Sequence, residues 1–251
     1  MVEQIYFFYD EDRERGHPMQ TIFKRYEIKY LLDRAQQAEL MQLMQPYMVP
    51  DRYGETVIRN VYFDTDNYRL IRRSMERPVY KEKLRLRSYA QAGPDGTVFA
   101  ELKKKYQSVV YKRRLALPEQ TGMDWLCGRI PLPVDTQIAR EIDYFRSYYR
   151  TVRPTVFLSY RRSAFYSIRG DDFRMTFDED IRARCTALSL QAEPGGTLLI
   201  PDTHVLLEIK CNGGMPLWLT TFLTRERIWK TSFSKYGRAY EMLIYPHIKG
   251  A

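Results

Sequence analysis

Hydrophobic and polar residues alternate along several segments of the chain, and this alternation predicts β-strands. Three such segments follow one another closely, at 79–89, 97–106 and 109–117. A Gly-Pro-Asp-Gly stretch at 93–96 predicts a turn between the first two. The same pattern predicts further strands, in chain order, at 21–32, 58–64, 155–168, 173–181 and 204–211.

Segments with helical spacing of apolar residues lie between and after these strands. Asp33 fits the N-cap of the first helix, which is expected to end near Pro46. Residues 1–20 combine aromatic residues with a run of charges and are expected to form an irregular lead-in. This order of elements favours an α+β fold built on an antiparallel sheet, and not alternating βαβ units. The further predicted helices are 67–75, 135–150, 217–227 and 235–244.

The polar side of the predicted strands carries many cations. In a strand every second side chain points to the same face, so alternate residues can be grouped by face. The opposite positions are mostly apolar, as Leu84 and Leu86 illustrate. The residues grouped on the polar faces are Lys81, Lys83, Arg85 and Arg87; Glu101, Lys103 and Lys105; Arg25, Glu27 and Lys29; Arg174, Thr176 and Asp178; and Glu208 and Lys210.

A sheet with one face in water would explain the alternation of any single strand. An exposed face, however, usually mixes both signs of charge with uncharged polar residues, whereas Lys and Arg predominate here on strand after strand. Like charges directly opposite one another on neighbouring strands destabilise a sheet. We therefore expect an antiparallel β-barrel with helices packed outside and a cation-lined lumen that holds a linear polyanion.

The isolated carboxylates on these faces can have either of two roles. They can pair with neighbouring Lys and Arg residues, or they can bind a hard divalent cation, which prefers oxygen ligands. A Mg²⁺ or Mn²⁺ ion that bridges phosphate groups needs only one or two protein carboxylates. Glu208 is the first candidate for such a role, followed by Glu101 and Glu27.

Composition indicates the charge of the expected partner and the compartment of the protein. The net charge of +9 favours an anionic partner without choosing among nucleic acids, phosphate compounds and acidic membranes. The three cysteines lie far apart and form no Cys-x-x-Cys motif, so they read as free thiols in a reducing compartment. With no signal-like N-terminal segment and no apolar stretch long enough to span a membrane, a cytoplasmic location is expected.

Eight segments from about residue 23 to residue 244 resemble, in their order, the triphosphate tunnel metalloenzyme superfamily and specifically its VTC branch, the polyphosphate polymerase domain. The resemblance implies an antiparallel barrel that forms a tunnel, within a single VTC-like domain at 21–251. The segments are Arg25-Tyr-Glu-Ile-Lys-Tyr, Val61-Tyr-Phe-Asp, Lys83-Leu-Arg-Leu-Arg-Ser-Tyr, Val98-Phe-Ala-Glu-Leu-Lys, Tyr160-Arg-Arg-Ser-Ala-Phe, Arg174-Met-Thr-Phe-Asp, Leu207-Glu-Ile-Lys and Ser232-Phe-Ser-Lys-Tyr.

Site roles follow from the resemblance together with the alternation. The register stays open at 112–114 and at 161–162, where adjacent cations make the inward residue ambiguous. Residues predicted to be catalytic are Lys29, Arg85, Arg87, Lys103, Arg162, Arg174 and Lys235. Residues predicted to bind substrate are Glu27, Lys83, Lys105, Lys112, Lys210 and Ser234, and the predicted metal ligands are Glu208 and Glu101.

The resemblance implies transfer of the γ-phosphoryl group of ATP to a growing polyphosphate chain, with Mn²⁺ or Mg²⁺. Hydrolytic relatives begin with a Glu-x-Glu-x-Lys strand, and here Arg25 replaces the first Glu, which favours a phosphate acceptor over water. One alternative is a metal-dependent triphosphatase. Another is a non-catalytic polyphosphate-binding module. No nucleic-acid motif is present, so nucleoside triphosphate and polyphosphate are the expected partners; a membrane-protein partner stays open.

Overall fold

A twelve-stranded sheet is the main feature of the computed structural model, which describes residues 3–7, 23–107 and 109–249. Most strands lie within two residues of the ranges that alternation predicts. The strands are β1 Glu3–Phe7, β2 Phe23–Asp33, β3 Met48–Pro50, β4 Thr56–Asp64, β5 Tyr80–Ser88, β6 Thr97–Tyr106, β7 Val109–Pro118, β8 Arg153–Ser167, β9 Arg174–Arg184, β10 Thr197–Leu198, β11 His204–Cys211 and β12 Lys230–Thr231.

Helices connect the strands and follow the last of them. Asp33 caps the first helix as predicted: its side chain accepts a hydrogen bond from the backbone of Gln36 at 2.8 Å, and the Gln36 side chain accepts one from the Asp33 backbone. None of the helices in the described ranges is both long and apolar enough to cross a membrane. The helices are α1 Arg34–Leu43, α2 Arg69–Met75, α3 Glu119–Leu126, α4 Gln137–Tyr149, α5 Leu217–Arg225, α6 Lys235–Ala239, a π-helical turn at Tyr240–Ile244, and α7 Tyr245–Lys249.

The sheet has the strand order β10-β9-β11-β2-β1-β7-β6-β5-β4-β8-β3, with β12 beside β2. Strand β8 pairs with β4 and also with β9. Within the described ranges every pairing is antiparallel except that of β1 with β7. The predicted α+β fold with a large antiparallel sheet is therefore confirmed.

The N-terminal prediction needs one correction. Glu3–Phe7 forms strand β1, although residues 1–20 were expected to be irregular. This strand pairs with β2 and β7, so its conformation is set by neighbours that are distant in sequence. The rest of the expected lead-in lies outside the described residues.

The apolar faces of the strands are buried beneath helices, as the alternation predicts. Leu84 and Leu86 of β5 are fully buried and pack in one cluster with Trp125 of α3 and Phe145 of α4. A second cluster joins β2, β9 and β11 to α1 and α5. Each buried leucine contributes roughly 1.5–3 kcal/mol through its removal from water, so this packing holds the cationic strands in place.

The segment after β12 packs against the other face of the sheet, on which the cations lie. Tyr236 stacks on Tyr62 with 4.6 Å between ring centroids and donates a hydrogen bond to Asp64 at 2.8 Å. The Tyr62 hydroxyl accepts a hydrogen bond from Arg85, so both tyrosines share the face of that arginine. The C-terminal segment therefore brings its own polar residues to the cationic strands.

Candidate functional site

The predicted site residues share one face of the sheet, named here the cationic face. Strand register sets this arrangement: Arg85 of β5 lies opposite Glu101 of β6, and Glu208 of β11 lies opposite Lys29 of β2. Seven strands contribute to the face, and in β5 the charged residues alternate with the buried Leu84 and Leu86. The site residues that it carries are Glu27, Lys29, Lys83, Arg85, Arg87, Glu101, Lys103, Lys105, Lys112, Arg162, Arg174, Glu208 and Lys210.

Glu101 is the centre of the densest group of charges. Its carboxylate accepts hydrogen bonds from Arg85 at 2.9 and 2.6 Å and from Arg114 at 2.8 Å, and lies 2.8 Å from the ammonium of Lys112. Burial alone would raise the pKa of Glu101, but these cations together with Arg87 hold it well below its usual range. We call Glu101, Arg85, Lys112 and Arg114 the Glu101 cluster; both carboxylate oxygens in it are already bonded.

The structure resolves the ambiguous register of β7. Lys112 and Arg114 both reach Glu101, while Arg113 between them points to the opposite face and donates to Glu141 of α4 at 2.9 Å. Burial and the nearby Arg85 and Arg114 outweigh the attraction of Glu101, so the pKa of Lys112 falls to about 8. Lys112 thus lies on the cationic face as predicted, and Arg114 joins it.

Asp178 forms a second group of charges with Arg162 and Lys235. Arg162 donates two hydrogen bonds to the carboxylate, at 2.6 and 2.7 Å, and Lys235 donates one at 2.5 Å. A register shift in β8 between Ser159 and Arg161 turns Arg162 towards the cationic face and leaves Arg161 half-exposed near Glu179. Asp178 has no exposed surface, and Arg162 and Lys235 hold its pKa below the usual value against the effect of burial.

Glu27 and Glu208 form a pair of neighbouring carboxylates that has lysines at ion-pair distance. Lys29 lies between them, with its ammonium 3.5 Å from Glu27 and 3.8 Å from Glu208, and Lys210 lies 2.9 Å from Glu208. Burial and the mutual repulsion of the carboxylates raise the pKa of Glu27, but Lys103, Lys29 and Lys210 lower it to about 2. We call Glu27 and Glu208 the glutamate pair.

Four lysines on β5 and β6 face one another in two rows. Lys81 lies directly opposite Lys105, and Lys83 lies directly opposite Lys103. In the described part of the chain, no carboxylate lies within ion-pair distance of Lys81, Lys83 or Lys105. We call Lys81, Lys83, Lys103 and Lys105 the lysine rows; they are the part of the cationic face where like charges meet.

The lysine rows change the protonation of their own members. Burial, followed by repulsion from Lys81, Lys103 and Lys29, lowers the pKa of Lys83 from its ordinary 10.5 to about 7. The pKa values of Lys81 and Lys105 are lowered too, first by burial and then by lysine neighbours. A group of cations that suppresses its own charge in the free protein gains the most when an anion arrives.

The C-terminal segment closes over the cationic face. Ser234 accepts a hydrogen bond from Lys83 at 3.1 Å, and Lys29 donates one to the backbone carbonyl of Phe233 at 3.0 Å. Ser234 also caps α6 by accepting from the backbone of Gly237. Both residues predicted in this segment, Ser234 and Lys235, therefore contact charged residues from several strands.

Two predicted arginines have other partners. Arg87 is 8% exposed and donates to Asn60 at 2.9 Å and to Tyr160 at 3.2 Å. Arg174 lies over the ring of Tyr166, 4.1 Å from its centroid, and opposite Lys210 in the register. Arg87 is thus held by two neutral groups and by Glu101, whose carboxylate lies 3.9 Å away. Arg174 lies at one edge of the group of site residues.

Sequence reasoning did not identify Arg114, Tyr62 and Tyr160 as members of the site. Arg114 follows from alternation once Lys112 is taken as inward, so the signal was present in the sequence. Tyr62 and Tyr160 accept hydrogen bonds from Arg85 and Arg87, and nothing in their local sequence distinguishes them from packing tyrosines.

The donors available for a metal ion are few. In the described ranges, no group of three or more His, Cys, Asp or Glu side chains is arranged to hold a metal ion. The glutamate pair supplies oxygens from two strands, which suffices for Mg²⁺ or Mn²⁺ only if phosphate oxygens complete the coordination. Glu101 is less suited, because three cations occupy its oxygens.

Comparison with known proteins identifies the family. A family model described as the VTC domain matches residues 24–244, from β2 to the π-helical turn. The sequence has no significant match among curated proteins. A solved structure from Bacillus halodurans, described as a candidate adenylate cyclase, aligns with a TM-score of 0.51 at 15% identity, over 83% of this chain and 92% of its own. At that identity the match shows a shared fold.

A further solved structure comes from Hippeastrum and is described as a candidate adenylyl cyclase with a dominant triphosphatase activity. It aligns with a TM-score of 0.49 at 17% identity, over 88% of this chain and 97% of its own. The family model spans nearly all of the described residues and confirms the resemblance that the sequence motifs indicate. The chain belongs to the VTC domain family.

Proposed function

We propose that this protein is a polyphosphate polymerase, which transfers the γ-phosphoryl group of ATP to the end of a polyphosphate chain bound on the cationic face. The observation that carries the proposal is the lysine rows, in which Lys81, Lys83 and Lys105 have no carboxylate partner in the described ranges. A linear polyanion supplies the negative charge that these lysines lack. The family is linked to phosphate and triphosphate chemistry, which agrees with this ligand.

We further infer that the sheet closes into a barrel and that the cationic face lines its lumen. The strand pairings support this closure, because the path from β9 through β11, β2, β1, β7, β6, β5, β4 and β8 returns to β9. Helices cover the apolar face at both core clusters described above, α3 and α4 at the first and α1 and α5 at the second. In this arrangement the apolar face is the outer side of the barrel. In such a lumen the lysine rows, the Glu101 cluster, and Asp178 with Arg162 and Lys235 surround one bound chain.

The arginines and lysines have separate tasks in the proposed reaction. Phosphoryl transfer depends mainly on positioning and on stabilisation of charge. Arg85 and Arg162, fixed by Glu101 and Asp178, present the remaining edges of their guanidinium groups to phosphate oxygens without having to reorganise. The lysine rows are mobile point charges that can follow a chain of varying length.

A phosphate acceptor suits this site better than water. The terminal oxygen of polyphosphate is already anionic near neutral pH, so its attack needs no general base. The carboxylates of the site would be poor bases: the pKa of Glu27 is about 2, and those of Glu101 and Glu208 lie well below their usual range. A triphosphatase has to activate water, and this set of carboxylates favours the polymerase over that alternative.

The glutamate pair fits a divalent ion that is shared with the substrate. Glu208 and Glu27 would hold Mn²⁺ or Mg²⁺ together with phosphate oxygens, and the bound ion would offset negative charge on the transferred group. Lys29 and Lys210 would then turn from the carboxylates to the phosphates. We propose Glu27, in place of Glu101, as the second carboxylate. We also propose a cytoplasmic location, in keeping with the three free cysteines.

Adjacent arginines on opposite faces give a matched test of the proposal. The purified protein is incubated with ATP and Mn²⁺, the products are separated on a gel, and free phosphate is counted. We expect long-chain polyphosphate from the wild type and from Arg161→Gln, whose arginine is half-exposed and lies off the cationic face. Arg162→Gln should lose it, with thermal unfolding measured to confirm that the variant is folded.

The outcomes separate the three candidate functions. Release of free phosphate without polymer from the wild type would identify a triphosphatase. Tight binding of polyphosphate with neither product would identify a binding module. Equal activity in Arg161→Gln and Arg162→Gln would contradict the placement of the reaction on the cationic face.

A further inference from the structure

A second group of cations lies on the surface, beside the lysine rows. The stretch 68–81 contains four arginines and Lys81 but only one acidic residue, Glu76. All four arginines are exposed, and none forms an ion pair with a carboxylate in the described ranges. They lie on α2 and on the turn that leads from α2 into β5. They are Arg69, Arg72, Arg73 and Arg77.

Arg77, the last of the surface arginines, continues the line of the lysine rows. Arg77 is followed by Val79, whose carbonyl accepts a hydrogen bond from the backbone of Gln107 at 2.7 Å, just beyond the end of β6. Lys81 and Lys105 come next, opposite one another, and then Lys83 with Lys103. Arg77 is near enough to contribute to the lowered pKa of Lys81, after burial and the effects of Lys103 and Lys29. The cations therefore run from the cationic face to the surface without an intervening acid at ion-pair distance.

At the opposite end of the strands, the exposed arginines have acidic residues close by in the sequence. The loop between β3 and β4 carries Arg52 between Asp51 and Glu55, and the turn between β8 and β9 carries Arg169 close to Asp171. Both arginines are exposed, as on α2, but each has acidic neighbours in sequence. Of these three surface segments, only the stretch 68–81 has several cations with a single acid.

We propose that Arg73 and Arg77 bind the part of a long polyphosphate chain that extends past Lys81 and Lys105, beyond the cationic face. This inference rests on the proposed function, because the cationic face must hold one end of the chain. A linear polyphosphate carries a negative charge on each unit, so a chain longer than the face must expose further charges at one end of the strands. The exposed arginines meet those charges through planar donor groups.

Two double variants of equal charge test the proposal. Arg73→Gln/Arg77→Gln removes the surface cations beside the lysine rows, and Arg52→Gln/Arg169→Gln removes the same charge at the opposite end. Binding of tripolyphosphate and of long-chain polyphosphate is measured for each at several salt concentrations. We expect the first variant to bind long chains roughly three- to tenfold more weakly, with a shallower salt dependence and unchanged affinity for tripolyphosphate.

The control variant should match the wild type for both ligands. Equal weakening by both double variants would reduce the effect to overall charge and overturn the proposal. So would an unchanged affinity for long chains, or an equal loss of tripolyphosphate binding in Arg73→Gln/Arg77→Gln. The four substituted arginines, two in each double variant, are all exposed. Circular dichroism is therefore expected to show no change of fold in either variant.

This test and the test of the proposed function can fail separately. A protein that makes no polymer but loses long-chain affinity only in Arg73→Gln/Arg77→Gln would refute the polymerase and support the surface site. A protein that makes polymer with unchanged long-chain affinity in that variant would refute the surface site alone. A wild type that binds neither ligand would refute both.

Discussion

Two parts of the cationic face lie on the same pair of strands and use charge in opposite ways. Where β5 meets β6 at Arg85 and Glu101, a cation lies opposite an acid, and the acid binds three cations. Two residues earlier, Lys83 lies opposite Lys103 and its pKa falls to about 7. The first arrangement is complete in the free protein. In the proposed function, the second arrangement is completed by the phosphate groups of the ligand. On this account Glu101 and its partners shape the site, and the lysine rows bind the ligand.

The largest expected effect is a loss of fold stability when Glu101 is replaced, because its carboxylate is shared by three cations. Glu101→Gln would leave the partly buried Arg85, Lys112 and Arg114 without their shared, fully buried carboxylate. Removal of one partner from a buried ion pair typically costs about 3–5 kcal/mol, so the free energy of unfolding in urea should fall by this order. A fall of less than about 1 kcal/mol would show that the cluster does not shape the site.

The opposite result is expected on the lysine rows. Lys83→Met removes a cation that has cationic neighbours and a serine hydroxyl as its hydrogen-bond partner. The free protein should therefore be as stable as the wild type at pH 6, or more stable, while its binding of tripolyphosphate weakens by roughly tenfold, as expected for loss of a charge-assisted contact. Marked destabilisation of the ligand-free variant would show that Lys83 stabilises the fold, and would contradict a role for it in ligand binding alone.

The same lysine predicts a pH dependence of stability. The pKa of Lys83 is about 7 in the folded protein and 10.5 is its ordinary value, so between these values the unfolded chain binds more protons. The free energy of unfolding of the wild type, measured against Lys83→Met, should therefore rise from pH 7 to pH 9. Below pH 7 the folded state carries the full penalty of the protonated lysine. A difference that stays constant or falls over this range would be inconsistent with a lowered pKa.

A smaller effect concerns the glutamate pair. Glu27→Gln should raise the Mn²⁺ concentration needed for half-maximal activity with ATP, because one of two carboxylates for the ion is lost. Fold stability should change less than in Glu101→Gln, since Glu27 belongs to a looser group, with Lys29 at 3.5 Å. An unchanged Mn²⁺ requirement would remove Glu27 from the proposed metal site.

Alternation alone predicts much of the site, and it fails where neighbours decide the register. It places Lys83 and Arg85 on one face because both lie in an uninterrupted strand. It cannot choose between Arg161 and Arg162, because the choice depends on a shift in the pairing of β8 with β9. The register at Arg113 is likewise settled by Glu141, which comes from a separate helix.

Strand pairings between distant segments also cannot be predicted from the pattern of residues along the chain. The glutamate pair exists because β2 pairs with β11, which lies far along the chain. Helix α3 was not predicted, since it is short and contains Gly122. Strand β1 follows from its contacts with β2 and β7, and not from its own pattern.

The central claim is that phosphate groups complete the charge of the lysine rows. The most direct measurement is a calorimetric titration of tripolyphosphate into the free protein at pH 8, in two buffers that differ in ionisation enthalpy. The account predicts that binding takes up protons, because the ligand restores the charge of Lys83, and that Lys83→Met takes up fewer. Binding without proton uptake in the wild type, or with the same uptake in both proteins, would contradict it.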